Sequence, residues 1–148
     1  MSTSSLSSET LHCSCVAKEG RAILISGRSG SGKSDLALRL IDRGADLVSD
    51  DYTIVRRVGG RLLASAPGNI RNKLEIRGLG ILEFETAADA PVCLMVELTT
   101  EVERMPEMPG SIAIAGVQVP SVRLSSLEAS ATVKVEVALA QFGLDPEA

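Results

Sequence analysis

Aromatic residues are nearly missing from this chain. Its 148 residues include two phenylalanines, Phe84 and Phe142, one tyrosine, Tyr52, and no tryptophan. The core must therefore be built from Leu, Ile, Val and Ala, and the stacking platforms that single-stranded nucleic acid needs are absent. Basic runs are missing too. Charges of both signs are interspersed, the net charge is −4, and nothing resembles a cationic track along a phosphate backbone. Nucleic acid is excluded as a main partner. No apolar stretch approaches the roughly 20 residues that span a bilayer, so no membrane partner is expected. Cysteine is scarce: Cys13, Cys15 and Cys93 are odd in number and lack framework spacing, which excludes a disulfide scaffold and points to reduced thiols in the cytoplasm. Histidine occurs once, at His12, so a zinc site would lack ligands. Residues 1–10 are rich in Ser and Thr, without a basic stretch followed by an apolar one. They read as a disordered tail and not as a secretory signal.

What is present suits one α/β domain over residues 11–148, with 45% apolar residues, no repeats and no internal linker. Residues 11–17 read as a first strand, with Cys13 and Cys15 on one face. Residues 22–26 form a short apolar run of the buried-strand kind. Residues 34–43 have apolar positions three and four apart, the helical spacing, with Gly44 as the closing cap. Residues 46–58 read as strand interrupted at Ser49-Asp50-Asp51, and Gly59-Gly60 turns the chain into a returning strand at 61–66. Residues 70–77 suit a short helix or loop, and 92–98 another strand. Residues 99–110 form a polar loop. Residues 111–119 and 121–124 read as strands separated by Pro120, and 129–142 as a helix in spite of its valines.

Between the strand at 22–26 and the following helix stands Gly27-Arg28-Ser29-Gly30-Ser31-Gly32-Lys33-Ser34. It fits G-x-x-x-x-G-K-[ST], the phosphate-cradling loop. Glycines let successive N–H groups turn inward around phosphate oxygens, and the helix start directs its positive dipole end at the same point. Lys33 reaches the β- and γ-phosphates, and the Ser34 hydroxyl ligates magnesium. The strand before and the helix after supply the context that separates this motif from a flexible Gly/Ser turn. The cofactors implied are ATP and Mg2+.

Phosphoryl transfer also needs carboxylates that hold metal and orient the nucleophile. Asp50-Asp51 follows an apolar run. Adjacent carboxylates repel, and a magnesium ion or a shared proton would relieve them; one can serve as a general base. A solvated polar turn is the competing reading. His12 lies one strand before the loop, where a lone histidine is more often structural than catalytic. Arg104, in the polar loop, can stabilise transition-state charge or simply pair with Glu101, Glu103 or Glu107. Leu74-Glu75-Ile76-Arg77-Gly78-Leu79-Gly80 looks buried yet carries two charges, and its glycines suggest close backbone approach to something. A turn bearing a surface ion pair is the plainer account.

In this order, His12, the glycine-rich loop, Asp50-Asp51, the Leu74 to Gly80 run and Arg104 resemble the HPr kinase/phosphorylase family, over about residues 11–143. The resemblance implies a fold related to phosphoenolpyruvate carboxykinase. It implies ATP- and magnesium-dependent phosphorylation of a serine on HPr, a phosphocarrier of the sugar phosphotransferase system, and in many members a reverse step that consumes phosphate and releases pyrophosphate. By position, Lys33 stabilises the transferring group, Ser34 and Glu75 are magnesium ligands, and Asp51 is the proton acceptor with Asp50 in support. His12 tunes the acidic pair, Arg104 is the catalytic arginine, and the Leu74 to Gly80 run meets the partner protein. A hexamer is implied likewise. The chain resembles the short form without a separate N-terminal domain. It departs from the family at Cys13, which follows His12 where glycine is usual. It departs again at residues 125–130, Ser-Ser-Leu-Glu-Ala-Ser, where a basic segment linked to the reverse reaction is expected; phosphorolysis should therefore be weak or absent. A small-molecule kinase with the same loop would want an arginine-rich lid for which there is little room. A GTP switch would need Asn-Lys-x-Asp, whereas Asn72-Lys73-Leu74-Glu75 ends in Glu. A non-catalytic nucleotide-binding module would have no use for Asp51, Glu75 and Arg104 together.

Overall fold

The computed structural model describes residues 7–106 and 109–146. Its centre is β3 (Arg21–Ser26), whose run Ala22-Ile23-Leu24-Ile25 is wholly buried. An apolar run without alternation is what a strand covered on both faces requires. Ala22 and Leu24 join one core cluster, with Cys13, Cys15, Val55, Leu62, Met95 and Val119. Ile23 and Ile25 join the other, with Leu36, Leu40, Leu94, Val135 and Leu139 from the two helices and their neighbour strand. Period-two alternation along one strand thus assigns its side chains to two layers.

Around β3 lie β2 (Cys13–Lys18), antiparallel, and β9 (Ala90–Leu98), parallel. Beyond β2 comes β4 (Asp46–Ser49). The opposite edge of β9 is shared: β6 (Arg61–Ser65) pairs with its start, and β11 (Val117–Leu124) runs parallel to its second half. β5 (Thr53–Val58) and β1 (Ser8–Leu11) continue outward from β6, while β10 (Gly110–Ile114) flanks β11. A two-stranded hairpin, β7 (Lys73–Ile76) and β8 (Gly80–Glu83), stands apart. The helices are α1 (Lys33–Asp42) and α2 (Ala131–Phe142).

Several expectations need correction. Ser8, Glu9 and Thr10 are not tail: they pair with Arg56, Val55 and Ile54. Residues 1–6 of that tail and Glu107 of the polar loop lie outside the described residues. Of residues 70–77 only Ile70 is helical, closing a short 3-10 turn at Gly68–Ile70; the rest is built around β7, which folds back on β8. Pro120 does not separate strands; the turn is at Ala115-Gly116, and β11 runs through Pro120. Pairing with β9 starts at Ser121, so the missing N–H of Pro120 loses no bond on that side. The hairpin at Gly59-Gly60 and the helix ending at Gly44 are found as expected.

The helices are tied by side chains as well as by core. Lys18 Nζ donates to Arg43 O (2.6 Å), and the Arg43 guanidinium donates to Glu136 Oε1 (3.0 and 2.7 Å). That donation from Arg43 holds the Glu136 carboxyl below the usual glutamate range. A carboxyl depressed on folding stabilises above its unfolded value, about 4.3, and loses that contribution as pH falls through its lower folded value. Melting curves of the wild type and Glu136→Gln should therefore differ by a few degrees at pH 6 to 7. The two should converge as the pH drops below about 4; a constant gap down to pH 3 would remove Glu136 as the cause.

Candidate functional site

The glycine-rich loop leaves β3 at its C-terminal end and enters α1 through Gly32, whose φ is 99°. Only glycine takes that backbone shape at low cost. A Cβ there would also lie 2.6 Å from Ser126 Oγ. Gly27 is similarly confined, since a Cβ would lie 2.5 Å from Ser31 Oγ and 3.1 Å from the Leu98 Cβ. No side chain caps α1, so its first N–H groups face the loop without a partner from a cap. Ser31 Oγ is buried and unpartnered. Lys33, 6% exposed, donates from Nζ to Gly27 O (2.9 Å) and Arg28 O (3.2 Å), which draws its charge back over the loop. Unpaired donors, an orphaned hydroxyl and a buried ammonium fit an anion such as a nucleotide phosphate. Arg28, Ser29 and Gly30 form the loop's exposed tip.

Behind the loop stands the acidic pair, at the end of β4. Asp50 is 9% exposed and accepts three hydrogen bonds. Two reach Oδ1, from Ser34 Oγ (2.7 Å) and Ser14 Oγ (3.1 Å); the third reaches Oδ2, from Glu75 N (3.1 Å). Three distant parts of the chain thus converge on one carboxylate. With Ser34 it offers hard oxygen donors of the kind magnesium takes, and Glu75 reaches it through its backbone N–H.

Asp51 is different. Its side chain is half exposed and accepts from His12 Nε2 at 2.8 Å. A carboxylate only accepts, so Nε2 carries the proton. The His12 ring stacks on Tyr52, centroids 4.9 Å apart. Asp51 has φ 67°, and Tyr52 N donates to Asp50 O at 2.7 Å. An i→i+2 bond around a positive φ is a γ-turn of the rare, strained kind. Such strain costs on the order of 1–3 kcal/mol and persists only where surroundings enforce it. Here Ser14 Oγ accepts from Asp51 N (3.0 Å), and Ser49 Oγ donates to Tyr52 O.

Sequence reading missed Ser14, Ser49 and Ser126. Ser14 carried a usable signal: a hydroxyl between two apolar-facing cysteines on a buried strand must find a partner. Ser126 Oγ donates to Ser31 O (2.6 Å), and Arg39 Nη2 donates to Ser126 O (2.6 Å). The segment that lacks basic residues is therefore strapped to the glycine-rich loop. Beside it, burial pushes the Cys13 thiol up to about 11, against the opposing Lys33 charge, so this thiol is a poor nucleophile. Past His12, a cleft of about 310 Å³ reaches Ser26, Met95 and Glu97.

Two expectations are not met by geometry. Arg104 is exposed, and none of the described ion pairs includes it. The Leu74 to Gly80 run is not buried. Leu74 is its buried anchor and Ile76 is half-buried, while Glu75, Arg77 and the turn Gly78, Leu79, Gly80 are exposed, Leu79 at 70%. Its glycines have positive φ with no atom near where a Cβ would go. They serve the hairpin turn and not a close approach within the chain.

Comparison with known proteins follows the same lines. The HPr Serine kinase C-terminal domain model matches residues 4–147. HPr kinase/phosphorylase of Chlorobium limicola is 40% identical over 76% of this chain, and that of Chlorobium luteolum 36% over 88%. The chain spans 38% and 44% of those relatives, less than half their length. The structure of the Hpr(Ser) kinase/phosphatase from Coxiella burnetii superposes with a TM-score of 0.77 at 27% identity, covering 89% of this chain and 94% of that one. With the match reaching from residue 4 to 147, the chain belongs to the HPr serine kinase C-terminal domain family.

Proposed function

We propose that the chain transfers the γ-phosphoryl group of ATP to a serine hydroxyl of an HPr-like phosphocarrier. The observation that carries this is the division of labour within Asp50-Asp51. Both oxygens of Asp50 are already engaged by three donors, one of them the Ser34 hydroxyl. Asp51 is open to solvent on a turn that presents it. Asp50 organises the phosphate end of the site, and Asp51 takes the proton. The carrier's serine oxygen attacks the γ-phosphorus, its proton passes to Asp51, the bond to the ADP oxygen breaks and ADP leaves. The imidazole of His12 orients Asp51. Lys33 and the N-terminus of α1 bind the phosphates. Ser34, Asp50 and Glu75 would hold magnesium, which supplies charge neutralisation when bound. The exposed hairpin around Leu79 is the surface for the carrier, and the polar segment around Arg104 brings that side chain in on binding. As in the family it resembles, the working unit is a hexamer in the cytoplasm. No helix among the described residues is long and apolar enough to cross a membrane.

Incubation with γ-labelled ATP, magnesium and purified HPr-like carriers should place label on a carrier serine. No labelled serine with any carrier would overturn the reading. Pyrophosphate release from the phosphorylated carrier should be weak, because Ser126 occupies the loop where a basic side chain is expected; brisk release would show that segment to be dispensable.

A further inference from the structure

We propose that Ser14 is a positioning residue for Asp51, acting through the turn that presents it. This rests on the kinase reading for its kinetic consequence, but not for its structural one. Ser14 is fully buried on β2. Its hydroxyl does two things at once: it donates to Asp50 Oδ1 at 3.1 Å and accepts from the Asp51 backbone N–H at 3.0 Å. One oxygen therefore fixes both members of the acidic pair, the first through its carboxylate and the second through its backbone.

The need for such a clamp follows from the turn. Asp51 has φ 67° and sits inside a single i→i+2 bond. An L-residue relaxes out of that shape unless the neighbouring atoms hold it. Ser49 holds the turn from the Tyr52 carbonyl, and His12 meets the Asp51 side chain. Among the described residues, only Ser14 holds the Asp51 N–H. Without the hydroxyl that N–H is left unpaired and Asp50 loses one of its three donors. The Asp51 carboxylate then swings relative to His12.

The test uses the chain's one histidine, whose imidazole resonances need no assignment. In Ser14→Ala these resonances should move from their wild-type positions toward those of Asp51→Asn. With ATP and carrier, kcat should fall about tenfold with a smaller rise in the KM for ATP, since Lys33 and the loop are untouched and Asp50 keeps two of its three donors. A merely structural serine would change stability and neither of these. Imidazole resonances of folded Ser14→Ala that coincide with wild type would overturn the proposal. So would a kcat equal to wild type. Should Ser14→Ala not fold, Ser14→Cys, close in size with a far weaker hydrogen-bonding group, decides by the same two readouts. If the wild type phosphorylates no carrier, the kinase reading fails, and the imidazole resonances still decide the role of Ser14.

Discussion

Asp51→Asn is expected to leave the fold intact and to lower phosphoryl transfer by about two to four orders of magnitude, the usual contribution of a placed general base. The expectation is unusually clean because of where the residue sits. Asparagine matches aspartate in size and tolerates a positive φ about as well, so the turn at φ 67° should survive. The amide oxygen can still accept from His12. What disappears is the ability to receive a proton. Rate measurements on the folded variant, with melting temperature as the control, check this. An unchanged kcat would remove Asp51 as the base. Asp51→Gly gives a second reading of the same site: the rate should fall equally, but the melting temperature should hold or rise, because glycine takes the turn without strain.

Gly32→Ala should weaken nucleotide binding at least tenfold, about 1.4 kcal/mol, and destabilise the fold by roughly 1–3 kcal/mol. Two separate effects contribute. A φ of 99° is poor for any residue with a side chain, and the new Cβ would meet Ser126 at 2.6 Å from Oγ and 3.1 Å from Cβ. They can be separated. Ser126→Gly in the Gly32→Ala background removes the clash and leaves the backbone strain, so it should recover part of the loss. Calorimetric titration with ATP and thermal melts of the two variants give both numbers. Nucleotide affinity equal to wild type in Gly32→Ala would mean that the entrance to α1 does not hold phosphate.

Much of this site was legible because its signals are local. The run 22–26, the glycine pattern and the helical spacing of Leu36, Leu40 and their neighbours are short-range features, and β3, the loop and α1 follow from them directly. What stayed hidden depends on contacts distant in sequence. Nothing in Ser8, Glu9 and Thr10 shows that their backbone groups pair with β5, since a ladder bond carries no side-chain signature. The β7–β8 hairpin was obscured for a related reason. Lys73-Leu74-Glu75-Ile76 does alternate, but over only four residues, and Leu79, Ile81 and Leu82 stay exposed, so no buried face marks β8 as its partner. The meeting of Ser14, Ser34, Glu75 and Asp50 joins positions up to 61 apart, Ser14 to Glu75. Asp50-Asp51 announced an acidic site, but only the fold divides it into a buried, triply bonded carboxylate and an open one.

The near-absence of aromatic rings has a practical consequence in light of where one of them stands. With no tryptophan, the chain's near-ultraviolet fluorescence comes essentially from a single tyrosine, and that tyrosine is Tyr52, stacked on His12 beside Asp51. The emission of the unlabelled protein is an optical gauge of the turn that carries Asp51. A stopped-flow trace at that wavelength would time the arrival of a partner at the site without a dye or a tag.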